Sequence, residues 1–249
     1  MKRLFKILGG LLAVLAALVI ALLITVHHSP TVTTPGPDAE ALAHTMLKSV
    51  DADAWARTGA VRWRFANHQH LWDRTRGLER VRWGNHEVLL DLATREGSTR
   101  EGGREITERS EHARLLAEAY GYFINDMFWL NPVVKAFDPG TSRAIGRLDG
   151  KRALLVSYAS GGLTPGDRYL WILDDNGRPE RWRLWVKILK VGGVEITWQG
   201  WQKLATGAWV ATEHRLLGLD LIPVRDVAGA ATLSALVPGP DPFAALVRR

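Results

Sequence analysis

Cysteine is absent from all 249 residues. Its absence excludes disulfides, thiol catalysis, cysteine-ligated zinc and a lipid-modified N-terminal cysteine together. A phosphate-cradling glycine loop, a nucleophile elbow, a dinucleotide fingerprint and an HExxH zinc motif are missing too. Net charge is scarce. The formal balance is +6, and setting aside Lys2, Arg3 and Lys6 leaves +3 for the remainder, too little to argue for a polyanionic partner. With no internal repeat and no cofactor signature, the expectation is a single domain that is not an enzyme and carries no cofactor or metal.

What the chain does have, first of all, is a long apolar run. Ile7–Val26 is twenty uninterrupted apolar, Gly or Thr residues, the length that crosses a hydrocarbon core of about 30 Å. Lys2, Arg3 and Lys6 precede it, so the positive-inside bias keeps the N-terminus cytoplasmic and exports the rest. The run is longer than a signal-peptide core and ends Thr25-Val26-His27-His28, without a small-x-small site. The expected organisation is a cytoplasmic and transmembrane anchor over residues 1–28, a Pro/Thr linker over 29–37, and an exported domain over 38–249. That places the protein in the inner membrane, single-pass, with its C-terminal domain outside the cytoplasm. Nucleic acid is therefore not expected as a partner, despite a sequence pI of about 9.8.

Within the exported part, Asp38 is placed to cap a short helix with Ala41, Leu42, Met46, Leu47 and Val50 as its apolar stripe, and Asp51 to Trp55 reads as a connection. From Ala60 the period becomes two: Val61, Trp63 and Phe65 share one face against Arg62 and Arg64, and Val81 and Trp83 repeat this against Arg80 and Arg82. Glu108–Leu130 reads as the longest helix, with Leu116, Ala119, Tyr120, Phe123, Met127 and Leu130 at three- and four-residue spacing. Strands resume at Arg143. Arg168–Trp201 then holds five of the eleven tryptophans in three strands, with Asp175-Asn176-Gly177 as a hairpin turn. On this reading Trp182, Leu184, Val186 and Ile188 share one apolar face, with Trp185 opposite among Arg181, Arg183 and Lys187. The tail is expected to lie on the surface through Phe243 and Leu246. The fold class is α+β: an N-terminal transmembrane helix, then a curved antiparallel half-barrel of about ten or eleven strands packed on a central helix.

That order of anchor, helix, meander, central helix and second meander, with its aromatic strands, resembles the LolA-like group of periplasmic lipoprotein carriers and lipid-binding relatives, over Asp38 to about Val227. The resemblance implies an unclosed half-barrel whose concave apolar face is plugged by helices and holds acyl chains. Trp63, Phe65, Trp83, Phe123, Met127, Trp171, Trp182 and Trp198 are the candidate lining of such a cavity; an ordinary core between sheet and helix is the alternative. The expected partners are the inner membrane through Ile7–Val26, a lipid or acyl chain, and an envelope protein.

Three polar sets complete the reading. The arginine rows 62/64 and 80/82 are placed to meet headgroups or an acidic partner, or simply solvent. His68-x-His70 puts two imidazoles on one side of an extended segment, where His86 or His214 would complete a metal site. Asp126, Asp138 and Asp167 are possible acid–base groups, but spacing pairs none of them. An envelope-substrate hydrolase would need Asp167 beside a histidine.

Overall fold

The computed structural model describes residues 28–29, 31–161, 164–189, 191–220 and 222–247. Ile7–Val26 lies outside the described residues, as do Gly162 and Leu163. Among the described residues no helix is long and apolar enough to cross a membrane.

Helix α1 spans Pro37–Ser49. It begins two residues earlier than a cap at Asp38 implies, because Gly36 takes the N-cap and Pro37, with no N–H to satisfy, fits the first turn. Asp38 and Glu40 then occupy the end of the helix where negative charge is stabilising. The expected connection at Asp51–Trp55 is in fact a short helix α2, Ala52–Ala56, capped by the Asp51 carboxylate, which accepts from the Ala54 N–H at 3.0 Å.

A meander follows, with β1 at Ala60–Phe65, β2 at His68–Asp73, β3 at Leu78–Trp83, β4 at His86–Asp91, β5 at Gly97–Glu101 and β6 at Arg104–Glu105. The seventh strand of this sheet is β16, Val224–Ala230, which returns to pair with β1. Helix α3, Arg109–Leu130, starts at Glu108, whose carboxylate accepts from the Ser110 and Glu111 N–H groups. A second antiparallel sheet holds β7 (Thr141–Leu148), β8 (Lys151–Tyr158), β9 (Arg168–Leu173), β10 (Pro179–Trp185) and β11 (Val194–Thr197) in sequential order. Two small ribbons complete the strands: β12 (Gln202–Lys203) with β13 (Trp209–Val210), and β14 (Arg215–Leu216) with β15 (Leu219–Asp220).

The α+β class and its antiparallel sheets thus stand, but the single sheet of ten or eleven strands does not. Sixteen described strands fall into two large sheets and two ribbons. The break comes at α3: β6 is only two residues long and β7 begins a new ladder with β8 rather than extending the first sheet.

The interior divides in the same way. One apolar cluster joins Val61, Trp63, Val81, Val88 and Leu90 of the first sheet to Leu115, Ala119, Phe123 and Leu130 of α3. The other joins Leu154, Tyr169, Trp171, Trp182 and Ile196 of the second sheet to Ala39, Ala43 and Met46 of α1. Trp129, near the end of α3, packs against both.

The outer faces are partly covered. Phe243 is buried against Leu71, Leu78 and Leu89 on the back of the first sheet, with Leu246 packed beside it. The segment between β16 and Phe243 includes helix α4, Leu233–Leu236, and Ala244–Val247 forms helix α5. The linker is less free than its composition suggested: Thr34 exchanges two 2.8 Å backbone hydrogen bonds with Ile145 at the open edge of β7. Trp185 faces outward as expected and packs on the cluster of Leu148, Ala153, Leu170 and Ile172, its indole donating to the His28 carbonyl at 2.9 Å. Ile188 departs from the reading. β10 ends at Trp185, and Ile188 is 72% exposed in the turn that follows.

Candidate functional site

The proposed aromatic lining is divided between the two clusters. Trp63, Trp83 and Phe123 are buried in the first, with Phe65 and Met127 half-buried against it; Trp171, Trp182 and Trp198 are buried in the second. In the second cluster the ring centroids of Trp171, Trp182 and Trp198 lie 4.5 to 5.2 Å apart. Trp129 is the bridge. It stacks on Phe65 at 6.5 Å and on Trp198 at 6.4 Å, and meets Trp182 edge-on at 5.4 Å, while its neighbour Phe128 stacks on Trp182 at 6.0 Å. The indole N–H groups of Trp63, Trp182 and Trp198 are buried without an acceptor among the described residues. Each unpaired buried donor costs about 1–3 kcal/mol.

Between α3 and the first sheet the structure assembles a chain of polar groups inside this apolar setting. The stripe α3 buries is Leu115, Ala119, Phe123, Asp126 and Leu130, so a carboxylate occupies one position of an otherwise apolar face. Beneath it β2 points His68 and His70 inward, and Glu79 of β3 lies diagonal to His70, which is opposite Val81. His68 Nδ1 is 2.7 Å and His70 Nε2 2.9 Å from the same oxygen, Asp126 Oδ2. On its other side His70 Nδ1 is 3.1 Å from Glu79 Oε1. The second Asp126 oxygen accepts from Asn125 Nδ2 at 2.8 Å. The His70 and Glu79 side chains are fully buried and that of His68 is 13% exposed.

Stacking fixes both imidazoles: His68 lies on Tyr122 at 3.8 Å and His70 on Trp63 at 4.3 Å. The charges are strongly coupled. Burial pushes the Glu79 carboxyl up to about 7, with His70 pulling the other way. For His70 burial acts downward, but hydrogen bonds to Asp126 and Glu79 outweigh it and hold the ring above the usual histidine range. Asp126 is opposed by burial and ends lowered, because both histidines donate to it. The group can therefore hold protons at buried positions, and its nitrogen and oxygen atoms are donors suited to a borderline metal ion.

The histidine pair was visible as His68-x-His70; its partners were not. His86 belongs elsewhere, tilted against Trp83 at 5.4 Å, and His214 lies in the second cluster, 4.2 Å from Trp198. The third member is Asp126. Of the other two aspartates, Asp138 pairs with Lys135 Nζ at 2.5 Å. Asp167 accepts from Thr164 Oγ1 and from the Lys187 N–H. No histidine contacts Asp167 among the described residues.

The arginine rows also come together, on the opposite face of the first sheet. Across β1, β2 and β3 the register aligns Arg62, Leu71 and Arg80 in one row and Arg64, Gln69 and Arg82 in the next. All four arginines border an open cleft of about 610 Å³ that Val227 and Val237 also line. Arg64 pairs with Asp226 at 2.9 Å and Arg82 with Glu87. The side chains of Arg62 and Arg80 make no hydrogen bond or ion pair among the described residues. Another cleft, of about 550 Å³, lies between Arg76, Asp91, His112 and Leu246. Of the eight candidate lining residues, only Trp63 borders either cleft. No protein-family model and no curated protein matches the sequence.

Proposed function

We propose that this chain is a membrane-tethered, extracytoplasmic binding domain of the LolA-like kind, which takes up a lipid or lipoprotein acyl chain between α3 and its curved sheets. The observation that carries this reading is the position of Trp129. It is only half-buried, yet it makes aromatic contacts to both clusters, and with Val134 it packs against both. In the described state the space is filled by the protein's own rings. Uptake therefore requires the end of α3 to move outward, so that an acyl chain replaces Phe128 and Trp129 against Trp182 and Trp198. The exchange is chemically even: apolar area leaves water at about 25 cal/mol per Å² whether ring or methylene covers it. An ester or carboxyl oxygen would also give the unpaired indole N–H groups an acceptor.

The test is the lipid content of the segment from Ser29 onward, expressed for export and purified without detergent. One acyl chain per protein in the extract supports the proposal, and a clean extract that also takes up no added fatty acid rejects it.

A second reading rests on Arg62 and Arg80, two unpaired cations in one cleft. On this reading the outer sheet face docks an acidic envelope protein. Arg62→Glu would then abolish a pull-down that Trp63→Ala leaves intact, whereas acyl-chain uptake would show no dependence on Arg62.

A further inference from the structure

The polar chain beneath α3 has a feature that a merely structural network does not require. One nitrogen of each imidazole converges on the same oxygen; His70 and Asp126 are each hydrogen-bonded from behind, and His68 is held by stacking on Tyr122. We propose that His68 Nδ1, His70 Nε2 and Asp126 Oδ2 form a binding site for a divalent transition-metal ion of the zinc class, with Glu79 as the outer carboxylate on His70.

Four observations support the site. The three donor atoms lie within 4.8 Å of one another. Ligands about 2.0–2.2 Å from a tetrahedral ion stand roughly 3.3–3.6 Å apart. The separations of 2.7 and 2.9 Å to Asp126 therefore need to widen by roughly 0.4–0.9 Å. Secondly, the donor set is two imidazoles and one carboxylate. That set suits zinc, cobalt, nickel or iron, whereas calcium and magnesium demand oxygen.

Thirdly, Glu79 accepts from the far side of His70 at 3.1 Å. A carboxylate behind a ligating histidine fixes its tautomer and aims the other nitrogen's lone pair at the ion. Asn125 does the equivalent for Asp126, and Tyr122 and Trp63 hold the two rings by stacking. Fourthly, there is a way in. His68 is 13% exposed while His70 and Asp126 are almost wholly enclosed, so the ion reaches the site from the His68 side and is held by buried ligands. The structural alternative, two N–H groups sharing one carboxylate oxygen, satisfies the same atoms without binding anything, and experiment separates the two.

The full chain, stripped with a chelator, is titrated with Co²⁺ and then Zn²⁺. The expected result is visible d–d absorption that saturates at one equivalent and is displaced by one equivalent of Zn²⁺. His68→Gln, the least buried ligand and the change least harmful to folding, removes the absorption. Glu79→Gln, which keeps all three ligands, weakens Zn²⁺ by about 10- to 100-fold. His44→Gln, at an exposed position stacked on Phe137, leaves binding unchanged. So does replacing both His27 and His28 by Gln. Absence of any d–d band in the wild-type chain overturns the proposal. So does Zn²⁺ affinity unaltered by His68→Gln, or a signal lost with His27 and His28.

Discussion

Asp126 of helix α3 and His70 of strand β2 meet 2.9 Å apart in an interior where neither side chain is more than 1% exposed. This contact ties the central helix to the first sheet through charge rather than shape. Removing one partner leaves the other uncompensated, which costs about 3–5 kcal/mol. Asp126→Ala and His70→Ala are each expected to lower the unfolding free energy by that amount in urea titration. Because the two act as a unit, the double variant should lose clearly less than the sum of the single losses.

The same contact shows how far the sequence could be read. Period-two alternation correctly put Val61, Trp63 and Phe65 on the face opposite Arg62 and Arg64, and residue spacing found α3 to within a residue. Phe243 and Leu246 anchor the tail to the surface as their apolar character suggested. The partner choices were hidden, because backbone pairing depends on what the whole chain brings together. Nothing local tells β16 to return to β1, or β7 to begin a separate sheet. Asp126 did leave a signal: it falls in phase with Leu115, Ala119, Phe123 and Leu130, at four-, four-, three- and four-residue steps. A stripe drawn through Leu116 and Met127 instead passes it by. Glu79 is likewise in phase with Val81 and Trp83 on β3, so the alternation of the strand marks it as inward-facing.

His214 makes the stability pH-dependent. Its ring is fully enclosed, and burial pushes it down to about 4 from 6.5, against backbone contacts at Trp129 and Thr197. Below pH 6.5 the unfolded chain gains a proton that the folded chain refuses, so the stabilisation is complete above 6.5 and is lost as pH falls toward 4. The shift corresponds to roughly 3 kcal/mol. Urea midpoints between pH 7 and 4 should fall less steeply in His214→Gln than in the unaltered chain, by about that amount across the window.

Trp129 joins both clusters, and truncating it should damage both. Trp129→Ala is expected to cost about 3 kcal/mol, the lower end for a large aromatic side chain because it is only half-buried. The loss should appear as a single cooperative transition at a lower urea midpoint. If uptake requires this ring to leave, the variant should also bind a fatty acid more tightly than the unaltered domain.

Arg76 pins the tail. It forks onto Asp241 at 2.6 and 2.9 Å, reaches Asp73 at 2.6 Å, and lies 5.6 Å over the Phe243 ring. The pairs are part-exposed, so Arg76→Ala should cost only about 1 kcal/mol. Its clearer effect is local. Limited proteolysis should cut between Val237 and Asp241 several times faster, because the contact holding Phe243 against Leu71 and Leu89 is weakened.

Acyl-chain uptake is tested most directly by quenching indole fluorescence with a brominated fatty acid, using the segment from Ser29 onward. Trp171, Trp182 and Trp198 are buried, and bromine quenches only at close contact. The proposal predicts saturable quenching at one equivalent, reversed by unbrominated fatty acid and enhanced by Trp129→Ala. Quenching that never saturates, or that is confined to exposed indoles and unaffected by the unbrominated competitor, would contradict it.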